Sequence, residues 1–310
     1  MAAYYRHTVA LIAVFFLLGA PAGAVDATSP KPSLKQVPPI ASPWQFQFTP
    51  YAWLIFVTGD QKIGSRTYDV NTNIFDIIDK SDHLYAWMSY QELRNGPFSL
   101  YTDVIWSRMR FSDTKSGVFP IGPLNRSSLS VVANAKIWLD FAIIEPGATF
   151  QLAKWSTGAA SPNGGFVPNA AIDLIAGARY WLIQPDINLN VTAALNIPAL
   201  GLTLTRAGSI SKEKTIDWWD PLVGLRLRYQ PAPGQELMVR GDIGGFDVGS
   251  NLTWQALAAY SFETRLLGLD FTSYIGYRAL SVDYEEGSGN KTIGLNLLVH
   301  GPVIGATFKW

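Results

Sequence analysis

The feature that most constrains this chain is a period of two in its hydrophobicity, sustained from Trp44 to the C-terminus. Across Ala171 to Leu182, Ile172, Leu174, Ala176, Ala178, Tyr180 and Leu182 alternate with a set that includes Asp173, Gly177 and Arg179. A strand turns two such sets to opposite faces. One face suits lipid and the other a polar interior. Val131 to Ile143 repeats the pattern, with Val131, Ala133, Ala135, Ile137, Leu139, Phe141 and Ile143 on one face and Asn134, Lys136 and Asp140 on the other. In Ile187 to Ile197 the apolar set is expected outward, with Asn188, Asn190, Thr192 and Asn196 inward. The composition is 48% hydrophobic and only 15% charged, where soluble domains carry about a quarter charged residues. No apolar run after the N-terminus is long enough for a helix to span a bilayer. An apolar composition without apolar runs is what barrel strands produce. The fold class expected is therefore all-β, a transmembrane antiparallel up-and-down β-barrel.

The first residues have the pattern of a signal peptide. Arg6 and His7 form a short basic region, Val9 to Leu18 an apolar core, and Ala22-Gly23-Ala24 a small-residue cleavage site. Residues 1–24 are read as a signal peptide cleaved after Ala24. Residues 25–43, with Pro30, Pro32, Pro38, Pro39 and Pro43, are read as a disordered periplasmic leader. Residues 44–310 are read as the barrel. There are no cysteines, which removes disulfides, thiolate metal sites and cysteine nucleophiles. The 24 basic and 24 acidic residues cancel, which argues against nucleic acid as a partner.

Turn signals divide the barrel into about twelve strands: Trp44–Val57, His83–Arg94, Phe98–Phe111, Ser128–Ile143, Gly147–Trp155, Ala170–Ile183, Ile187–Arg206, Trp218–Tyr229, Gln235–Phe246, Leu252–Glu263, Leu267–Leu280 and Lys291–Trp310. Tight connections at Asn95-Gly96-Pro97, Glu145-Pro146, Gln184-Pro185-Asp186, Pro231 to Gly234 and Thr264 to Leu266 alternate with mostly longer ones, including Ser156–Asn169. Short turns on one side and long loops on the other place both termini in the periplasm. Gly301-Pro302 is read as a bulge within one long final strand. Asn73 to Asp82 breaks the alternation. Ile74, Ile77 and Ile78 fit a helical turn with Asn73 as its cap, so a short helix is expected between the first two strands. Many of the 11 Trp and 13 Tyr fall towards strand ends, as interfacial girdles require. Trp138 has inward parity by this division and is expected in the lumen.

The chain ends Gly305-Ala306-Thr307-Phe308-Lys309-Trp310. Gly305, Phe308 and Trp310 resemble the terminal signal read by the barrel assembly machinery, an expected partner during biogenesis, through edge pairing of an unpaired final strand. Phe48-Thr49-Pro50-Tyr51-Ala52-Trp53, Ile172 to Trp181, Asp220 to Arg226, Arg240 to Phe246, Gly276 to Leu280 and the Gly301-Pro302 to Trp310 end resemble a family of uncharacterised proteobacterial outer-membrane β-barrel proteins. That resemblance implies the fold and a Gram-negative outer-membrane location with its lipid, and no substrate or catalytic residue.

Charges of both signs collect on the inward parity: Glu92, Arg94, Asp103, Lys136, Asp140, Asp173, Arg179, Asp220, Arg226, Arg228, Arg240, Asp242, Asp270 and Arg278. They either line a narrow porin-like pore for small polar or anionic solutes, or pair across strands and fill a closed structural or surface-interaction barrel. The candidates for contacting a solute are Arg179, Arg226, Arg228, Arg240, Asp242 and Arg278, because guanidinium forks recognise carboxylate and phosphate. An enzyme is not expected. After signal removal the histidines are His83 and His300. Asp82 adjoins His83, but neighbours in a strand point to opposite faces, and His300 beside Gly301-Pro302 has no evident partner in the sequence, so a lipid-acting enzyme is the weakest reading. No cofactor motif and no metal-ligand cluster is present in the sequence.

Overall fold

The computed structural model describes residues 44–121, 127–159, 166–198, 202–266 and 269–310. The expected signal peptide and leader, residues 1–43, lie outside them. The elements are β1 (Trp44–Trp53), β2 (Phe56–Ile63), β3 (Arg66–Asn73), α1 (Ile74–Lys80), β4 (His83–Asn95), β5 (Phe98–Ile121), β6 (Ser127–Ser156), β7 (Asn169–Ile197), β8 (Leu202–Glu213), β9 (Ile216–Gln230), β10 (Gln235–Gly245), β11 (Leu252–Leu266), β12 (Leu269–Glu286) and β13 (Ile293–Lys309). All thirteen strands join one antiparallel sheet, closed by pairing of β1 with β13. The expected class, an up-and-down barrel with a short helix after the first stave, is the architecture found.

The strands are divided differently from the sequence-based expectation. β1 and β2 lie end to end along β13, β8 and β9 lie end to end along β7, and β3 pairs with β2 alone, so the ring has ten staves. Glu145-Pro146 and Gln184-Pro185-Asp186, expected as turns, are interior to the single strands β6 and β7. Proline has no N–H to donate, and here each one interrupts the ladder on one side only. Pro146 pairs with Thr102 while the β6–β7 ladder lapses between Ile144↔Tyr180 and Gly147↔Gly177. Pro185 pairs with Leu139 and lies where β8 gives way to β9. Pro302 pairs with Tyr277 and lies where β1 gives way to β2, with Trp53↔Val303 and Phe56↔His300 in the same register. The bulge expected at Gly301-Pro302 is thus a lapse in pairing without a register shift.

Merging these strands moves the Ser156–Asn169 connection to the end that carries both termini, with the Gly96 and Gly234 turns and the junction of β11 with β12. At the opposite end β5, β6, β7 and β8 run on past the rim as a four-stranded flap. β8 has 12 residues, so the flap projects roughly 40 Å at about 3.3 Å per residue. Its side facing the barrel axis carries Leu129, Val131, Ala133, Ile187, Leu189, Val191 and Leu195, because β7 keeps one parity from Arg179 through Pro185 to Ile197. Asn188, Asn190 and Thr192 lie on the outer side. This reverses the expected sidedness, which depended on a turn at Pro185. Lys136 and Asp140 are corrected in the same way. They lie on the outer face with Trp138, which sits under the guanidinium carbons of Arg108 and Arg110, 5.0 and 5.5 Å from its ring centre.

α1 begins where Asn73 accepts hydrogen bonds from the backbone N–H groups of Phe75 and Asp76. The sequence is legible here because a side-chain oxygen at the cap satisfies donors that the first turn cannot pair. The ring exterior is a belt of exposed Leu100, Leu174, Leu225, Val239, Ile275 and Ile304. Exposed aromatics bound it, with Trp44, Phe46, Phe98, Phe262 and Trp310 towards the termini and Tyr85, Trp106, Trp219 and Trp254 towards the flap. A closed barrel satisfies every backbone group of its wall and can therefore present such a belt to hydrocarbon.

Candidate functional site: the charged lumen

Inward parity on β4, β5, β6, β7, β9, β10 and β12 points charged side chains at the axis, and they meet across it. Arg226 on β9 donates to Glu92 on β4 at 2.7 Å and to Asp173 on β7 at 2.9 Å. Arg278 on β12 reaches Asp103 on β5 at 2.8 Å and the Tyr51 hydroxyl on β1 at 3.0 Å. Arg179 on β7 donates to Glu145 on β6 at 2.6 Å and to Asp242 on β10 at 2.7 Å. Arg240 donates from Nη2 to Glu145 across the lumen and from Nε to Asp242 on its own strand at 2.9 Å. Several of these bonds join staves that are not neighbours, so the network spans the lumen.

Burial sets the character of this network. Arg179, Asp173 and Asp220 are 0% exposed, and Arg226, Arg240, Asp242 and Arg278 are buried as well. Charges taken out of water stay ionised only when paired and hydrogen-bonded. Here the carboxylates accept several bonds each: Glu145 from Arg179, Arg240 and Tyr101, and Asp173 from Arg226 and Arg228. Gly147 makes room for this, since a Cβ there would lie 2.5 Å from the Tyr101 ring.

On the flap side an apolar layer covers the network. Trp181 stacks on Trp218 with ring centres 5.5 Å apart, and Trp218 on Tyr284 at 3.9 Å. Trp53, Ile105, Ile143, Leu280, Val282, Leu295 and Val303 complete the layer, all buried. Asp220 anchors its edge, accepting from the Trp218 indole at 3.1 Å and from the Ser250 backbone N–H at 2.7 Å. The Trp181–Trp218 stack had no distinct signal in the sequence, because an inward tryptophan reads the same as a girdle tryptophan until the staves are placed.

On the termini side the network floors a cavity of about 510 Å³. Its lining includes Arg94, Arg226, Arg228, Arg240, Arg278 and Lys309 as cations and Glu92, Asp103 and Glu236 as acids. Of the six residues expected to contact a solute, Arg226, Arg228, Arg240 and Arg278 reach this cavity, while Arg179 and Asp242 lie in the network away from its lining. The side chain of Asp270 falls outside the described residues. The two histidines lie on the outer surface. His83 stacks on Trp138 with centres 6.3 Å apart, and His300 Nδ1 is 2.6 Å from the Tyr277 hydroxyl. Among the described residues no group of three or more His, Asp and Glu is placed to hold a metal ion.

At the terminal strand Phe308 pairs with Phe48 and packs on Phe271 and Trp310, with centres 6.1 and 6.3 Å away. Gly305 has a packing reason of its own, since a Cβ there would lie 2.6 Å from the Pro50 carbonyl oxygen.

No family model matches the sequence, and no curated protein matches it. Solved structures to which the chain is similar include a Pseudomonas aeruginosa FadL homologue, at 9% identity over 86% of this chain and 90% of that one, with a TM-score of 0.27. Another is Ail, the attachment invasion locus protein of Yersinia pestis, in complex with the heparin analogue sucrose octasulfate, at 10% identity over 86% and 98%, TM-score 0.22. A third is the Pseudomonas putida toluene transporter TodX, at 9% identity over 86% and 90%, TM-score 0.22. Likenesses this distant assign no function.

Proposed function

We propose that this chain is an integral outer-membrane barrel with a sealed lumen, a non-catalytic scaffold that holds the flap above the cell surface. The observation that carries this reading is the lumen-spanning network under an apolar layer. An open pore needs hydrated, separated charges along a continuous path. Here Arg179 is wholly buried between Glu145 and Asp242, and Leu280 and Val282 close the space beyond it.

In this proposal residues 1–24 direct export and are removed after Ala24. The final strand, through Gly305, Phe308 and Trp310, presents the edge that the assembly machinery pairs with. The exterior belt sits in outer-membrane lipid, with the termini in the periplasm and the flap outside. The test is planar-bilayer recording with purified, folded protein. The sealed reading expects no conductance steps above the bare bilayer at any voltage or salt. Reproducible unit steps that shrink on substitution of Arg228 would replace it with the narrow anion-passing channel.

A further inference from the structure

We infer that the termini-side cavity is a binding site for a small amphipathic anion, a carboxylate or phosphate head on a compact apolar body, taken up from the periplasm. The side of entry rests on the orientation proposed above, whereas the binding itself needs only the cavity and does not depend on whether the lumen conducts.

The charges are sided. Six cationic side chains line the cavity against three acidic ones, because Glu145, Asp173 and Asp242, which neutralise the arginines, stand behind the lining. A guanidinium backed by a carboxylate keeps its charge and orientation while its front donors stay available. Arg94 and Arg228 are in this position. Arg94 is held by Nε and Nη2 on Glu92, at 3.2 and 2.9 Å. Arg228 is held by Nε and Nη2, on Asp173 and Gln151. Among the described residues neither Nη1 has a hydrogen-bond partner. Both arginines reach the same oxygen of Asp173, at 3.7 Å from Arg94 and 2.8 Å from Arg228, which brings the two forks together. Their side chains are 12% and 18% exposed, against 8% for Arg226 beside them.

Beside the charges the lining has an apolar and aromatic part, which includes Ile175, Met238, Leu257, Tyr274 and Val303, and a set of neutral Gln, Thr and Ser side chains. A cavity of about 510 Å³ lies within the size range of small-molecule sites, which pair an apolar wall with a few fixed polar groups. Glu236 stands in the same lining, with Gln230 donating to it at 3.1 Å, and adds a penalty against a second negative charge on the ligand's tail.

The test is calorimetric titration of the full barrel in nanodiscs with four probes: 3-phenylpropionate, phenyl phosphate, inorganic phosphate and 3-phenylpropylamine. The expected result is saturable one-to-one binding of at least one aromatic anion, with the tighter of the two naming the head group. Inorganic phosphate should bind at least tenfold more weakly and the amine not at all. Combined Arg94→Gln and Arg228→Gln should weaken the aromatic anion at least tenfold. Arg228→Lys keeps the charge on Asp173 and removes the fork, so it should weaken binding several-fold even where the double substitution does not fold. Absence of binding by both aromatic anions, equal binding of the amine, equal binding of inorganic phosphate, or an Arg228→Lys barrel with unchanged affinity would each overturn the inference.

Discussion

Glu145→Gln is the most informative single change in this molecule. Glu145 is 0% exposed. Its Oε2 accepts from Arg179 at 2.9 and 2.6 Å, and its Oε1 accepts from Arg240 and, at 3.0 Å, from Tyr101. The amide keeps the volume and removes the charge. Arg179 and Arg240 are then left with Asp242 as their one shared carboxylate. Removing one partner of a buried pair costs about 3–5 kcal/mol, since a desolvated charge is left uncompensated. Glu285→Gln is the control. It breaks the Lys62–Glu285 contact of 3.1 Å, where both side chains are more than 40% exposed, and such pairs are worth at most about 1 kcal/mol. Reversible urea unfolding in lipid vesicles, followed by tryptophan fluorescence, reads both. The double variant with Arg240→Gln restores a one-to-one pairing of Arg179 with Asp242, so it should cost less than the sum of the two single changes by about 0.5–3 kcal/mol, the coupling range of groups in one network. A Glu145→Gln barrel within about 1 kcal/mol of the parent, with no coupling to Arg240, would refute the view that the lumen charges hold the barrel together.

Two further outcomes test placement. Leu225→Arg puts a cation in the middle of the exterior belt, between the exposed Val223 and Leu227. It should reduce folding stability in vesicles by about 2–4 kcal/mol, and an unchanged stability would remove that wall from lipid. The absence of cysteine gives a clean topology probe. A cysteine replacing Ser209 on the exposed β8 should react with an impermeant maleimide on intact cells, whereas one replacing Gln235 at the termini-side turn should react only after permeabilisation. The opposite pattern would invert the barrel.

Period-two alternation alone determined the class, because a closed barrel is the sheet that can turn one apolar face to lipid without leaving an unpaired edge. The cap at Asn73 and the turn at Gly96 were likewise legible, since each is a local event decided by one or two side chains. The inward parity of Arg179, Arg226, Arg240 and Arg278 followed from the same period. The tertiary structure alone decided the rest. A proline in a strand and a proline in a turn look alike in sequence. Pro146 and Pro185 proved to be mid-stave because their neighbours tolerate a ladder that lapses on one side, and that choice set the stave count, the side of the Ser156–Asn169 connection and the face of the flap. Whether an inward arginine meets solute or a carboxylate depends on which staves face each other across the axis, a relation between residues as distant as Arg226 and Glu92. Closure of the ring set that relation, and it turned a row of inward charges into a network that spans the lumen.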